Sequence, residues 1–212
     1  MAEVTQSGSG GAVSVVWASG SRTPGAGTEL VRAEVARAVG IPVEEVRLTR
    51  SCPACGSSDH GRPVVLAEGR PALPCVSLSR AGDLVVVAVS ESGSVGVDIE
   101  RLVAPRFAGF DAVALHHCEP SPCLDTRAAT WVRKESLLKA TGDGLRVDPR
   151  HIWLSDPDQQ ARLLEWGAPD PPMSSVWMQD LEIEGHAACV TVLSELAPQF
   201  SLRQAVPEGL PH

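Results

Sequence analysis

The sequence predicts an α+β fold, and three observations carry that expectation. The run from Leu84 to Val89 is apolar at every position, as a strand buried on both faces would be. The stretch from Asp125 to Gly144 holds no Pro or Gly between Thr126 and Thr141, so it reads as one long helix with Asp125 as its N-cap and Gly142 as its stop. Short strand-like runs recur before and after that helix, giving helix plus strands and then helices plus strands again.

Taken in order, Met1 to Gly11 is Gly/Ser-rich and reads as a disordered tail. Val13 to Trp17 is a short buried strand, and Thr28 to Val39 an amphipathic helix capped by Thr28 and stopped at Gly40. Val46 to Thr49 is a further strand. From Pro74 the pattern becomes β: CVSLS, a turn at Ala81-Gly82-Asp83, LVVVAVS, a turn near Gly93, then VGVDIE. Pro105 to Glu119 reads as one or two helical turns. After Gly144 the strands are His151 to Leu154, Val176 to Ile183 and His186 to Leu193, separated by a Pro/Asp-rich loop at 168–172, and from Ala197 the chain reads as a loose tail.

A chain of 212 residues buries a sizeable core without disulfides or metals, as one large or two small domains. Its formal charge of −8 argues against nucleic acid or a membrane surface as partner. The beginning of the sequence has neither a basic segment nor a long apolar one, so the cytoplasm is the expected location and the six cysteines are expected to be reduced. Arg is distributed unevenly: Met1 to Val95 carries eight Arg against nine acids, whereas Leu145 to His212 carries four against ten, which favours the first half for an anionic ligand. Only two Lys occur, Lys134 and Lys139, both on the long helix. Lys is a compact point charge whose pKa moves readily on burial, unlike Arg.

On that helix Ala128, Trp131, Val132, Glu135, Leu138 and Lys139 share one stripe, with Thr130, Arg133, Lys134 and Leu137 opposite. A carboxylate and an ammonium therefore fall in the expected apolar seam. An ordinary i,i+4 pair, adding about 0.2–0.5 kcal/mol, is the bland explanation. In the strand VGVDIE, Asp98 and Glu100 share a face. Two acids ending a strand are often merely solvated; placed side by side they repel unless a cation intervenes, and hard oxygen ligands suit Mg²⁺. Cys52 and Cys55 form a single CxxC with His60 nearby. Three ligands fall short of the usual structural zinc set of four, so the expectation is a reduced pair shaping a loop, with a zinc-stabilised interaction module as the alternative.

The segment Gly96 to Glu100, GVDIE, followed about thirty residues later by Trp131 to Gly144, WVRKESLLKATGDG, resembles the paired signature of the 4′-phosphopantetheinyl transferase superfamily. Gly61-Arg62-Pro63 is similar to a further family segment, and Ser77-Leu78-Ser79-Arg80 falls where the family has a Ser-His pair, Arg80 standing in the His position. The resemblance is to the longer, monomeric type, a pseudodimer of two similar α/β halves, each a small mainly antiparallel sheet packed with helices. It implies an N-terminal half, 12–100, that binds coenzyme A, and a C-terminal half, 101–196, with the metal and the catalytic helix; 1–11 and 197–212 are tails.

The implied reaction moves the phosphopantetheine arm of coenzyme A to a serine of an apo acyl or peptidyl carrier protein, with Mg²⁺ as cofactor and 3′,5′-ADP as the second product. Asp98, Glu100 and Glu135 are the implied metal ligands; Glu135 also accepts the serine proton, and Lys139 stabilises the leaving phosphate. Arg62, Ser79, Arg80, Lys134, Lys139, Gly142 and Gly144 are implied to hold coenzyme A. The carrier is expected to dock near Phe107 to Pro122, with Arg101, Arg106 and Arg127 as basic contacts. A coenzyme A binding protein with impaired turnover, because Arg80 replaces His, is the second reading.

Overall fold

The computed structural model describes residues 10–19, 25–52, 55–67, 73–103, 108–169, 172 and 175–205, and its architecture is α+β with small, mainly antiparallel sheets and few helices. The elements are β1 (Ala12–Ala18), α1 (Ala26–Val39), β2 (Arg47–Ser51), β3 (Arg62–Leu66), β4 (Cys75–Ala81), β5 (Leu84–Ser90), β6 (Ser94–Arg101), α2 (Phe110–Ala114), α3 (Arg127–Thr141), β7 (Ile152–Leu154), β8 (Leu163–Trp166), β9 (Val176–Ile183), β10 (His186–Leu193) and β11 (Gln199–Gln204).

One sheet has the order β11-β1-β5-β4 and another β6-β10-β9. β2 pairs with β3, and β7 with β8, as separate hairpins. Strand β5 is buried along its whole length, as its apolar run requires: Val87 and Val89 pack under α1, while Val86 and Ala88 face the core shared with β6 and β10. Helix α3 packs on β6 and β10. The first part runs strand, one helix, short hairpin, long hairpin, the second has two helices, α2 and α3, in the place of one, and the order β1-β5-β4 recurs as β6-β10-β9.

Several sequence expectations change. Gly25, not Thr28, is the residue before α1, and Thr126, not Asp125, precedes α3. Val97 lies opposite Val190 in an antiparallel ladder with β10, so β6 belongs to the sheet β6-β10-β9. The expected turn near Gly93 separates the two sheets. The loose tail expected from 197 contains β11, parallel to β1, with Phe200 against the core and Arg203 ion-paired to Glu34 of α1. The expected N-terminal tail falls outside the described residues at 1–9, as do 206–212 of the C-terminal one.

Candidate active site

The seam between the two sheets is made by β4 and β6, and two serines on one face of β4 stitch it. Ser77 Oγ accepts the Val97 amide at 3.0 Å, and Ser79 Oγ donates to Asp98 Oδ1 at 2.6 Å. Alternation sends Ser77 and Ser79 toward β6 and their neighbours Leu78 and Arg80 toward α1. A Cβ on Gly27, in the first turn of α1, would come 2.6 Å from an Arg80 guanidinium nitrogen.

On β6, Val95, Val97 and Ile99 enter the core while Gly96, Asp98 and Glu100 face α3. Gly96 is required there. A Cβ at this position would stand 1.9 Å from the Ser136 carbonyl oxygen and 2.5 Å from the Ala140 amide nitrogen, so strand and helix backbones touch. Gly142 ends α3 with φ 82°, and its amide donates to the Leu138 and Lys139 carbonyls.

On α3 the expected stripe residues Ala128, Val132 and Leu138 are buried, but the opposite side is buried as well. Thr130, Arg133, Lys134 and Leu137 are buried, whereas Trp131, Glu135 and Lys139 lie on the partly open face. Arg133 is 1 % exposed; it clamps the Asp180 carboxylate at 3.0 and 2.6 Å and donates to the carbonyls of Ser155, Asp156, Pro157 and Gln159. Lys134 is 0 % exposed, and its Nζ donates to Glu119 Oε2 at 2.6 Å and to the Ala114 and Pro149 carbonyls. Its three protons are thereby used inside the fold. Burial pushes its pKa down, opposed by Glu119.

Lys139 is the junction of the site. Its Nζ donates to Asp98 Oδ1 at 2.6 Å and to the Val97 carbonyl at 3.1 Å. Glu135, one turn earlier, is held above the usual carboxylate range first by burial and then by the negative charge of Asp98, with Lys139 opposing. Glu100 is raised for the same two leading reasons, opposed by Lys139 and His186. The three acids therefore form one electrostatic cluster. Asp98 Oδ2 and Glu135 Oε1 are buried without a hydrogen-bond partner. Carboxylate oxygens so placed are costly without a cation. Their hard oxygens fit Mg²⁺ in kind, although the three carboxylates do not bring one oxygen each within 4.8 Å of one another.

Lys139 also lines a cleft of about 530 Å³ that runs between the β2–β3 hairpin, β4 and the end of α3. Arg62, Gly142 and Gly144 line it as well, so four expected coenzyme-binding residues share one cavity of ligand size. Arg50 and Arg146 join them, two cations that sequence reasoning did not single out. Val65 and Leu138 supply apolar wall. Arg80 and Lys134 are absent from that lining, and Ser79 contributes through Asp98 instead.

At the other end of the open face, Phe110 meets Trp131 edge-on with ring centroids 6.4 Å apart, and the Arg127 guanidinium stands 5.1 Å over the Phe110 ring. This sets α2 one helical turn from Glu135, as expected for the segment after β6; residues 104–107, including Arg106, lie outside the described residues. Trp131, Ser77 and Arg133 went unassigned in the sequence. The i,i+2 serines of SLS were the one visible signal for Ser77, whereas the partners of Arg133 are distant in the chain.

Residues 94–191 match the 4′-phosphopantetheinyl transferase superfamily. That stretch holds both motifs and the carboxylate cluster, and the superfamily resemblance is borne out over it. Two curated relatives are similar: the "Uncharacterized protein YieE" of Escherichia coli strain K12 and that of Escherichia coli O6:H1, each 32 % identical over 111 residues. The matched part covers 43 % of this chain and 43 % of each relative, so less than half the length of these relatives is spanned. No described helix is long and apolar enough to cross a membrane.

Proposed function

We propose that the protein transfers 4′-phosphopantetheine from coenzyme A to a serine hydroxyl of an apo acyl or peptidyl carrier protein, in a Mg²⁺-dependent reaction that releases 3′,5′-ADP. The observation that carries this reading is the meeting, at Lys139, of an acidic cluster with orphaned buried oxygens and a cleft lined by Arg62, Arg50 and Arg146. An acidic cluster alone suits many cations; beside an Arg-lined cleft it suits a metal-bound pyrophosphate. Asp98, Glu100 and Glu135 would hold Mg²⁺, which neutralises charge on the pyrophosphate and favours its cleavage.

The chain's own residues account for the rest. Arg62 and its neighbours anchor the nucleotide phosphates, and Gly142 and Gly144 leave room for them near the backbone. Glu135, its pKa raised by burial, is a stronger base than an exposed carboxylate and accepts the serine proton. The serine oxygen then bonds to the phosphorus that carries the pantetheine arm, and the bond from that phosphorus to the bridging oxygen breaks, leaving 3′,5′-ADP. Lys139 stabilises the charge that develops on this leaving phosphate. The matching strand orders of the two sheets support a pseudodimeric organisation, and we propose a monomer. The carrier is proposed to dock over α2, where Val113 is exposed and Arg127 stands over Phe110.

Incubating the protein with coenzyme A, Mg²⁺ and several apo carriers, then weighing the carriers, tests the reading. A mass gain equal to phosphopantetheine is expected, and no gain with any carrier refutes it. The alternative of a coenzyme A binder disabled by Arg80 gains little support from a residue that faces α1 rather than the cleft.

A further inference from the structure

The loop between β2 and β3 gathers three soft ligand atoms. The Sγ atoms of Cys52 and Cys55 and a ring nitrogen of His60 all lie within 4.8 Å of one another. Cys55 Sγ and His60 Nε2 are 3.4 Å apart. A zinc ion with Zn–S of about 2.3 Å and Zn–N of about 2.0–2.1 Å sets two tetrahedral ligands about 3.6 Å apart, close to that separation. The turn is tied by its own backbone: the Gly56 amide donates to the Cys52 carbonyl at 2.8 Å and the Cys52 amide to the Ser57 carbonyl at 3.0 Å. These bonds hold Cys52 close to Gly56, the neighbour of Cys55, and His60 returns to both cysteines two residues before β3.

Two thiolates and an imidazole form a set that selects zinc over Mg²⁺ or Ca²⁺. Cys55 and His60 are exposed, so an ion has a path of entry. A second Cys/His group, His116 with His117 and Cys118, is already committed to local structure: His116 Nδ1 accepts the Cys118 amide at 3.2 Å, and its ring stacks on Trp153.

We propose that Cys52, Cys55 and His60 bind one zinc ion, with water in the fourth tetrahedral position, and that the ion fixes the β2–β3 loop at the mouth of the cleft. Cys52 lines that cleft, and so does Arg62, two residues beyond His60. The ends of the loop are already joined by the pairing of Ser51 with Arg62 and by the Arg50 hydrogen bond to the Gly61 carbonyl at 3.0 Å, and the ion adds a cross-link between Cys52, Cys55 and His60 beyond that pairing. Binding releases the two thiol protons to solvent. The zinc site does not depend on the transferase reading, and its test uses no activity.

The full chain is dialysed against metal-free buffer and its zinc measured by elemental analysis. One zinc per chain is expected, lost in Cys55→Ser and in His60→Ala and kept in Cys123→Ser. Replacing zinc by cobalt in the unmutated protein is expected to give a thiolate-to-cobalt charge-transfer band, a readout that needs no variant to fold. Amide exchange across residues 50–66 is expected to quicken on chelation. Absence of both stoichiometric zinc and the cobalt band overturns the proposal, as does zinc retained by both ligand variants. Exchange unchanged by chelation overturns the role in fixing the loop.

Discussion

Replacing Gly96 by Ala tests the contact on which the whole site is mounted. The new Cβ would lie 1.9 Å from the Ser136 carbonyl oxygen, and a tolerable contact needs at least 3.0 Å, so α3 has to move from β6 by about 1.1 Å. The obstacle is backbone, so no side-chain rotation relieves it. Overpacking of this kind costs about 1–3 kcal/mol, and the backbone contact points to the upper end. For a chain of this size each kcal/mol lowers the melting temperature by about 2–4 °C, so a fall of about 4–12 °C is expected. The same movement would stretch the 2.6 Å Lys139–Asp98 pair to about 3.7 Å, outside hydrogen-bond range. A misplacement of about 1 Å in a catalytic group costs on the order of 100-fold in rate. Thermal unfolding followed by circular dichroism, and carrier mass gain measured below the new melting point, read the two effects separately. A variant with parental melting temperature and parental rate would refute the close packing of β6 on α3 and the idea that it sets the geometry of the acids.

Three further outcomes are expected. Magnesium should raise the melting temperature little in acid and progressively more as pH climbs from the ordinary carboxylate value of 4.5 through the raised folded values of Glu100 and Glu135. The sign follows because each group's contribution to metal-free stability is present below its unfolded pKa and fades as pH rises through the folded one, while the metal needs the ionised form; a magnesium shift that shrinks with pH would contradict it. Lys134→Met should lose about 3–5 kcal/mol in urea unfolding by leaving Glu119 buried without its cation, yet keep the magnesium-induced shift, and a loss of coenzyme A binding without destabilisation would return Lys134 to the cleft. Calorimetric titration with coenzyme A should find Arg62→Ala weakened by about 10- to 150-fold, the loss of a charge-assisted hydrogen bond, and Arg80→Ala essentially unchanged; the opposite ranking would overturn the assignment of the cleft.

The three acids of the site and Lys139 were legible because local rules set them, whereas Arg50 and Arg146 reach the cleft only through the tertiary fold. Period two put Asp98 and Glu100 on one face of β6, and helical spacing put Glu135 and Lys139 one turn apart on α3. Long-range pairing was not legible. The turn at Gly93 resembles any hairpin turn, yet it sends β6 to β10, about ninety residues on, instead of to β5. Strand β11 lacks a full apolar face, and only the free edge of β1 makes it a strand.

The two lysines show the division most plainly. The sequence alone determined the helix, its stop at Gly142 and the presence of both ammonium groups on it, since capping, propensity and spacing act within a few residues. Which lysine faces the cleft was decided by the tertiary structure. Glu119, Ala114 and Pro149, brought together only when the chain closes around α3, take Lys134 into the interior, while Ser79 and Asp98 across the seam hold Lys139 at the open edge. A helix presents side chains in every direction at fixed angles, and only the elements packed around it determine which of those directions becomes core and which becomes site.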